Sequence, residues 1–204
     1  MWTNRSNNGR MRLGRPQQFD EGKVLSSAMN TFWALGYESA SLQDLLEATG
    51  LSKSSLYQAF GDKEALFLTC LEKYRLDMKE RLLTQLSLSK SGLGFIEQVL
   101  LSSAEEAGLP HPRGCLVMNT AAEIGLSNSK ISKEVEKGVH TFKDVFLTAL
   151  QKAEKEGMLS RGADLEGIAL YIVSSLSGLK SMVKAGASKD SVEQIVKMTM
   201  NSIS

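Results

Sequence analysis

Ser41 to Leu66 reads SLQDLLEATGLSKSSLYQAFGDKEAL, and its punctuation sets two short helices around a tight turn, with a longer helix close behind. Ser41 stands where an N-cap belongs, and Asp44 three positions later makes the start close to a capping box. Leu42, Leu45 and Leu46 then form one apolar stripe. Gly50 falls where the first helix must stop, because only glycine takes the left-handed C-terminal conformation without steric cost, and Ser52 is positioned to cap the next helix. The turn is about four residues long, as a helix-turn-helix requires. In the second helix Leu56 and Phe60 share a face at i, i+4 and dock inward, which leaves Lys53, Ser54, Ser55, Tyr57 and Gln58 for the other faces. A cation, two hydroxyls, a phenol and an amide can contact phosphates and base edges in a major groove. The stretch therefore implies a DNA-reading head. The plain alternative is a capped helical hairpin inside an all-helical core.

Around these residues the chain resembles the TetR/AcrR-type transcriptional regulators. GLSKSSLYQAFGDKEALF follows that family's pattern of glycine, apolar residue, Ser, Lys, small residues, Leu-Tyr, Phe and then Lys-Glu-Ala-Leu. The match extends upstream through Ala28, Phe32, Gly36 and Tyr37, so that it covers roughly residues 18 to 75. One departure is Gln58-Ala59, where many relatives carry aromatic or His residues after the tyrosine. The resemblance implies a homodimer on a palindromic double-stranded operator, released by a small effector. Lys53 and Tyr57 are expected to position phosphates, and Ser54, Ser55 and Gln58 to lie nearer the bases. Ser41 and Lys63, at the two ends of the motif, complete the expected set within the head.

Length and composition agree with a regulator. The chain has 204 residues, enough for a small head and one larger core, with 42% apolar and 23% charged residues. No apolar run approaches the ~20 residues needed to span a bilayer, and the Arg-bearing N-terminus has no apolar leader segment. A cytoplasmic location without membrane partners is expected. Cys70 and Cys115 form no CxxC pair, and His111 and His140 supply no zinc spacing, so neither a metal nor another cofactor is expected.

The net charge of +1 is low for a nucleic-acid binder, but its distribution matters. Arg5, Arg10, Arg12 and Arg15 precede Gln17 without any acidic residue. From Gln17 to Glu64 the chain carries three lysines and seven carboxylates, a net of −4 that cancels this arm. Affinity is then expected to lean on the arm, with Arg12 and Arg15 nearest the head, and on helix N-termini aimed at phosphates.

The expected organisation is all-α, with about nine helices: a flexible basic arm at 1–17, the head at 18–62 and an effector-binding and dimerisation domain at 63–204. Helices are expected over roughly 20–35, 62–86, 95–107, 114–124, 129–155, 165–184 and 188–203 besides the hairpin, with the Ser- and Gly-rich SLSKSGLG at Ser87 to Gly94 as a break. Its GLG lacks both a third glycine and a preceding strand, which argues against a dinucleotide loop. Ile168, Ile172, Ser175, Leu179 and Met182, with Val192, Ile195, Val196 and Thr199 on the last helix, make two stripes suited to a four-helix dimer interface. The alternative is that both stripes complete the monomer core.

A pocket is implied by the resemblance, with Phe95, Val99, Cys115, Met118, Asn119, Ala122, Phe142, Phe146 and Tyr171 as its candidate wall. Asn119 and Glu123 share one face of a mostly apolar helix and need polar partners. Cys115, after Arg113 and Gly114 at a helix start, offers a second reading: a thiolate favoured by cation and amides would make the chain a redox or electrophile sensor. An enzyme is disfavoured, because no nucleophile elbow or metal motif frames His140, Asp144 or Ser174 and Ser175.

Overall fold

Each helix at the N-terminal end begins at a side chain that caps it. Asp20 accepts the amide of Lys23 at 3.1 Å, Ser52 accepts that of Ser55 at 3.2 Å and Asp62 accepts that of Ala65 at 2.8 Å. At Ser41 the capping box is closed: its hydroxyl accepts from the Asp44 amide at 3.1 Å, and the Asp44 carboxylate accepts the Ser41 amide at 2.8 Å. The computed structural model describes residues 19–160 and 162–203, and within them nine helices and no strand. They are α1 (Glu21–Leu35), α2 (Leu42–Thr49), α3 (Lys53–Phe60), α4 (Lys63–Leu88), α5 (Gly92–Glu106), α6 (Leu116–Ile124), α7 (Ser129–Lys155), α8 (Leu165–Lys184) and α9 (Lys189–Ile203).

Gly50 ends α2 at φ 69°, ψ 11°, the left-handed conformation its position demanded, and the turn to α3 holds Gly50, Leu51 and Ser52. α1 packs across α2 and α4. Leu45 and Leu56 are fully buried, and Phe32 meets Phe67 edge-on at 4.8 Å. α4 then leaves the head and packs along α7, so one helix belongs to both halves of the molecule.

The break after α4 is shorter than its composition suggests. α4 runs to Leu88 and α5 starts at Gly92, capped by the Ser91 hydroxyl, which accepts the Gly94 amide at 3.0 Å. Gly92 serves a close crossing of α5 and α7, since a Cβ there would lie 2.1 Å from the Ala149 carbonyl oxygen and 2.7 Å from the Ala153 nitrogen.

The proposed dimer stripes need correction. Ile172, Leu179, Val192, Val196 and Thr199 are buried inside the single chain, where α8 packs on α7 and α9 on α5. Ile168, Ser175 and Ile195 are half-buried beside them, and only Met182 of the nine is exposed. The most apolar face of an amphipathic helix goes to the core of its own chain first. The face left outward on α8 is Leu170, Tyr171, Ser174, Gly178 and Met182, with Met198 exposed on α9. Arg12 and Arg15 lie outside the described residues.

Candidate nucleic-acid interface and cavity

α3 presents one edge to solvent. Lys53, Ser54, Gln58 and Ala59 are exposed and Tyr57 is 40% exposed, while Leu56 and Phe60 anchor the opposite face. The Lys53 ammonium lies 5.8 Å from the Tyr57 ring centroid, which gathers the cation and phenol into one patch. Ser52 Oγ is 3.0 Å from Ser54 Oγ and 2.9 Å from Ser55 Oγ, so the hydroxyls at the helix start form a local network, with Ser55 half-buried. Lys63 turns the other way. Its ammonium donates to the Glu38 carbonyl at 3.4 Å and sits 4.7 Å from the Tyr37 ring centroid, steadying the α1–α2 turn.

Four of the seven carboxylates that give the head its negative balance have structural work. Asp20, Asp44 and Asp62 are spent at helix N-termini, and Glu64 accepts from Lys130 at 2.6 Å and from the Asn128 amide at 2.6 Å. The Lys130 and Asn128 hydrogen bonds hold the Glu64 carboxyl below its usual range. Of the four, Glu64 has its charge matched by a cation, Lys130.

The larger half of the chain encloses a cavity of about 970 Å³. Met78 and Leu82 of α4, Val99 of α5, Met118 of α6, Phe142 and Phe146 of α7, and Val173 and Leu176 of α8 give it apolar walls. At one end stand Trp33, Tyr74, Glu106, Arg113, Cys115 and Lys180. Of the candidate wall residues, Val99, Cys115, Met118, Phe142 and Phe146 reach the cavity. Four do not. Phe95 is buried against Phe146 at 6.2 Å between ring centroids, and Ala122 is exposed. Asn119 donates to the Arg113 carbonyl at 2.8 Å, and Tyr171 lies on the outer face of α8, its hydroxyl accepting from Ser202 at 3.3 Å.

Cys115 also differs from expectation. It does occupy the N-cap of α6, and the Met118 and Val117 amides and the Tyr74 hydroxyl, which donates to its sulfur at 3.6 Å, favour the thiolate. Burial outweighs them and pushes the thiol up. Burial also pushes the Cys70 thiol up, to about 12.

Several polar contacts unforeseen in the sequence join cavity and head. Glu106 Oε2 accepts from Lys180 at 2.6 Å and Oε1 accepts the Gly114 amide at 2.6 Å. Burial pushes this carboxyl up, but the bonds from Lys180 and Gly114 outweigh it and hold it below the usual range. The neighbouring Arg113 carbonyl accepts from Trp33 Nε1 at 3.1 Å, and the Arg113 guanidinium donates to Asn30 Oδ1 at 2.9 Å, so the segment before α6 grips α1. Further along α6, the Glu123 carboxylate accepts the Tyr37 amide at 3.0 Å and the Glu38 amide at 2.8 Å. Its partner is the head's own turn. The sequence flagged Glu123 as a polar group needing partners, but spacing alone cannot name a contact 86 residues away.

Among the described residues no group of His, Cys, Asp or Glu could hold a metal ion, and no helix is long and apolar enough to cross a membrane.

Comparison with known proteins agrees with this geometry. Residues 24–70 match the family model "Bacterial regulatory proteins, tetR family", and residues 94–199 match "Tetracyclin repressor-like, C-terminal domain". The chain is 27% identical over 191 residues to YezE of Bacillus subtilis strain 168, an uncharacterized HTH-type transcriptional regulator, covering 93% of this chain and 98% of YezE. It is 28% identical over 198 residues to ComR of Escherichia coli K12, an HTH-type transcriptional repressor, covering 92% of this chain and 90% of ComR. Among solved structures, a cysteine-substituted mutant of the regulator CifR complexed with 26 bp double-strand operator DNA superposes with a TM-score of 0.82 at 26% identity, over 94% of this chain and 100% of that one. The reduced form of E. coli NemR shares the fold, with a TM-score of 0.82 at 19% identity over 90% of this chain and 96% of NemR.

Proposed function

The chain belongs to the tetR family of bacterial regulatory proteins, transcriptional regulators and not enzymes, and on that premise we propose that it is a homodimeric repressor released from a palindromic operator when a small effector fills its cavity. The observation that carries the DNA-binding half is the outward edge of α3, where Lys53, Ser54, Tyr57 and Gln58 are exposed together. The operator-bound state of its relative CifR favours the same use. Lys53 and Tyr57 would hold phosphates, with Ser54, Ser55 and Gln58 nearer the bases, and Ser41, its hydroxyl donated to Asp44 at 2.6 Å, would serve by capping α2 beside the duplex. Lys63 is reassigned to holding the turn. Two such edges set about 34–36 Å apart read successive major grooves, which calls for a two-fold pair. The outward face of α8, with Gly178 and Ser174 small enough for close approach, supplies the natural seam, joined by Met198 of α9.

Release follows from linkage. An effector shifts the equilibrium only by binding one state better, and DNA must weaken effector binding by the same factor. The cavity is suited to such coupling because its wall residue Arg113 also holds Trp33 and Asn30 of α1. With Cys115 partly covered and its thiol pushed up, a reversible ligand is preferred over thiol modification as the signal. The regulator would work in the cytoplasm, where its DNA lies.

The test selects bound sequences from a random DNA library and titrates the winner against salt. Lys53→Ala should weaken all sequences alike and lower the salt slope by about one phosphate contact, whereas Gln58→Ala should change sequence preference. An unchanged slope removes Lys53 from the phosphate role, and failure to enrich any sequence removes the reading.

A further inference from the structure

The polar end of the cavity has more donors to spare than acceptors. Both oxygens of Glu106 are taken, one by Gly114 and one by Lys180. Lys180 spends one of its three N–H donors on that bond and is only 18% exposed in its side chain, so two donors remain on a half-buried cation. Arg81, at the exposed rim, has no partner among the described residues, and Arg113 adds a third positive charge to the lining against the carboxylates of Glu105 and Glu106. Gln85, Gln98, Ser102, His111 and Ser177 add polar groups to the lining, with the Ser102 and Ser177 hydroxyls donating to their own helices, and the remaining wall is apolar.

We propose that the effector is an organic acid, with an apolar body among Phe142, Phe146 and Val99 and one carboxylate bound by Lys180 in place of Glu106. The assignment rests on the effector-released reading given above. A carboxylate matches the leftover donors and the excess positive charge, and a hydrocarbon body matches the walls. A cationic headgroup would face three cations with the one buried carboxylate already engaged, and a neutral one would leave the Lys180 donors unmatched by charge. Once Lys180 turns to the ligand, Glu106 keeps only backbone partners, Gly114 and Arg113, in the segment that grips α1.

The test compares ligands that share one hydrocarbon tail: octanoate, 1-octanol and octylamine, titrated calorimetrically into the full chain at neutral pH without DNA. Octanoate should bind at least about tenfold tighter than either of the others, the scale of a hydrogen bond to a charged partner. Lys180→Gln should bring octanoate down to the level of octanol. Should that variant not fold, Glu106→Gln carries the opposite sign, because removing the competing carboxylate should tighten octanoate binding. Octanol or octylamine binding as well as the acid, an acid preference that survives Lys180→Gln, weakened or unchanged octanoate binding in Glu106→Gln, or no binding by any of the three overturns the assignment. A parallel gel shift on the selected DNA separates the two readings. Acid that binds without releasing DNA leaves the ligand class standing and removes the release mechanism. Intact DNA binding without acid binding does the reverse.

Discussion

Glu123→Ala removes the latch between α6 and the head, and its size can be worked from the contacts. Two hydrogen bonds are lost, from the Tyr37 amide at 3.0 Å and the Glu38 amide at 2.8 Å. A bond to a charged partner nets about 1.5–3 kcal/mol when buried, but Glu123 and Glu38 are exposed and water takes over much of the role, so the pair together is worth about 1 kcal/mol. In a chain of this size that lowers the melting temperature by about 2–4 °C. The local effect is more specific. Amide exchange at Tyr37 and Glu38, which lose their acceptors outright, should quicken by more than the about fivefold that the lowered global stability allows in the middle of α7. Glu123→Gln, which keeps one acceptor oxygen, should fall between. Gly36→Ala reaches the latch from the other side, since its Cβ would lie 2.9 Å from the Glu123 carboxylate and its φ of 86° strains any side chain. Hydrogen exchange followed by mass spectrometry reads all three variants. Unchanged exchange at the two amides in Glu123→Ala, with the protein folded, would refute the latch.

Three other expectations are sharp enough to fail. Gly92→Ala drives a methyl to 2.1 Å from the Ala149 carbonyl, an overpacking cost of about 1–3 kcal/mol, and at the first residue of α5 it gains little of the roughly 1 kcal/mol of propensity that an interior position would offer, so the urea midpoint should fall; an unmoved or higher midpoint contradicts the close crossing. Because burial pushes the Cys115 thiol up, iodoacetamide at pH 7.5 should label it more slowly than glutathione, faster as pH rises and ahead of Cys70; labelling faster than glutathione would restore the sensor reading. Gly178→Arg puts a long cation on the exposed face of α8 and should turn a dimer into a monomer in sedimentation, whereas a dimer that persists moves the seam elsewhere.

The head was legible because its signals are local. Ser41 with Asp44, the left-handed Gly50, and the Ser52 and Asp62 caps each act within about one helical turn, a range over which sequence spacing fixes geometry. The break at Ser87 to Gly94 misled for the same local reason, since Ser and Gly punctuate loops by default. Gly92 is there to let two helices touch, a demand set by residues near Ala149 that no window around position 92 contains. The latch from Glu123 to Tyr37 and the Glu106 bridge between Lys180 and Gly114 were out of reach in the same way.

α8 makes the limit concrete, because one helix here serves three different neighbours. Successive residues turn by about 100°, so Tyr171 and Ile172 point to different places although they adjoin. Ala169, Ile172, Leu179 and Val183 are buried in the core of the chain, Val173, Leu176, Ser177 and Lys180 line the cavity, and Leu170, Tyr171, Ser174, Gly178 and Met182 face out. All three sets repeat at helical spacing, and each contains large apolar side chains. Periodicity can separate them only if the neighbours are known. The one member that breaks the pattern is Lys180, a cation on an otherwise apolar or small cavity face. An unpaired lysine there would cost stability, and the bond to Glu106 offsets that cost while leaving two of its donors for a ligand.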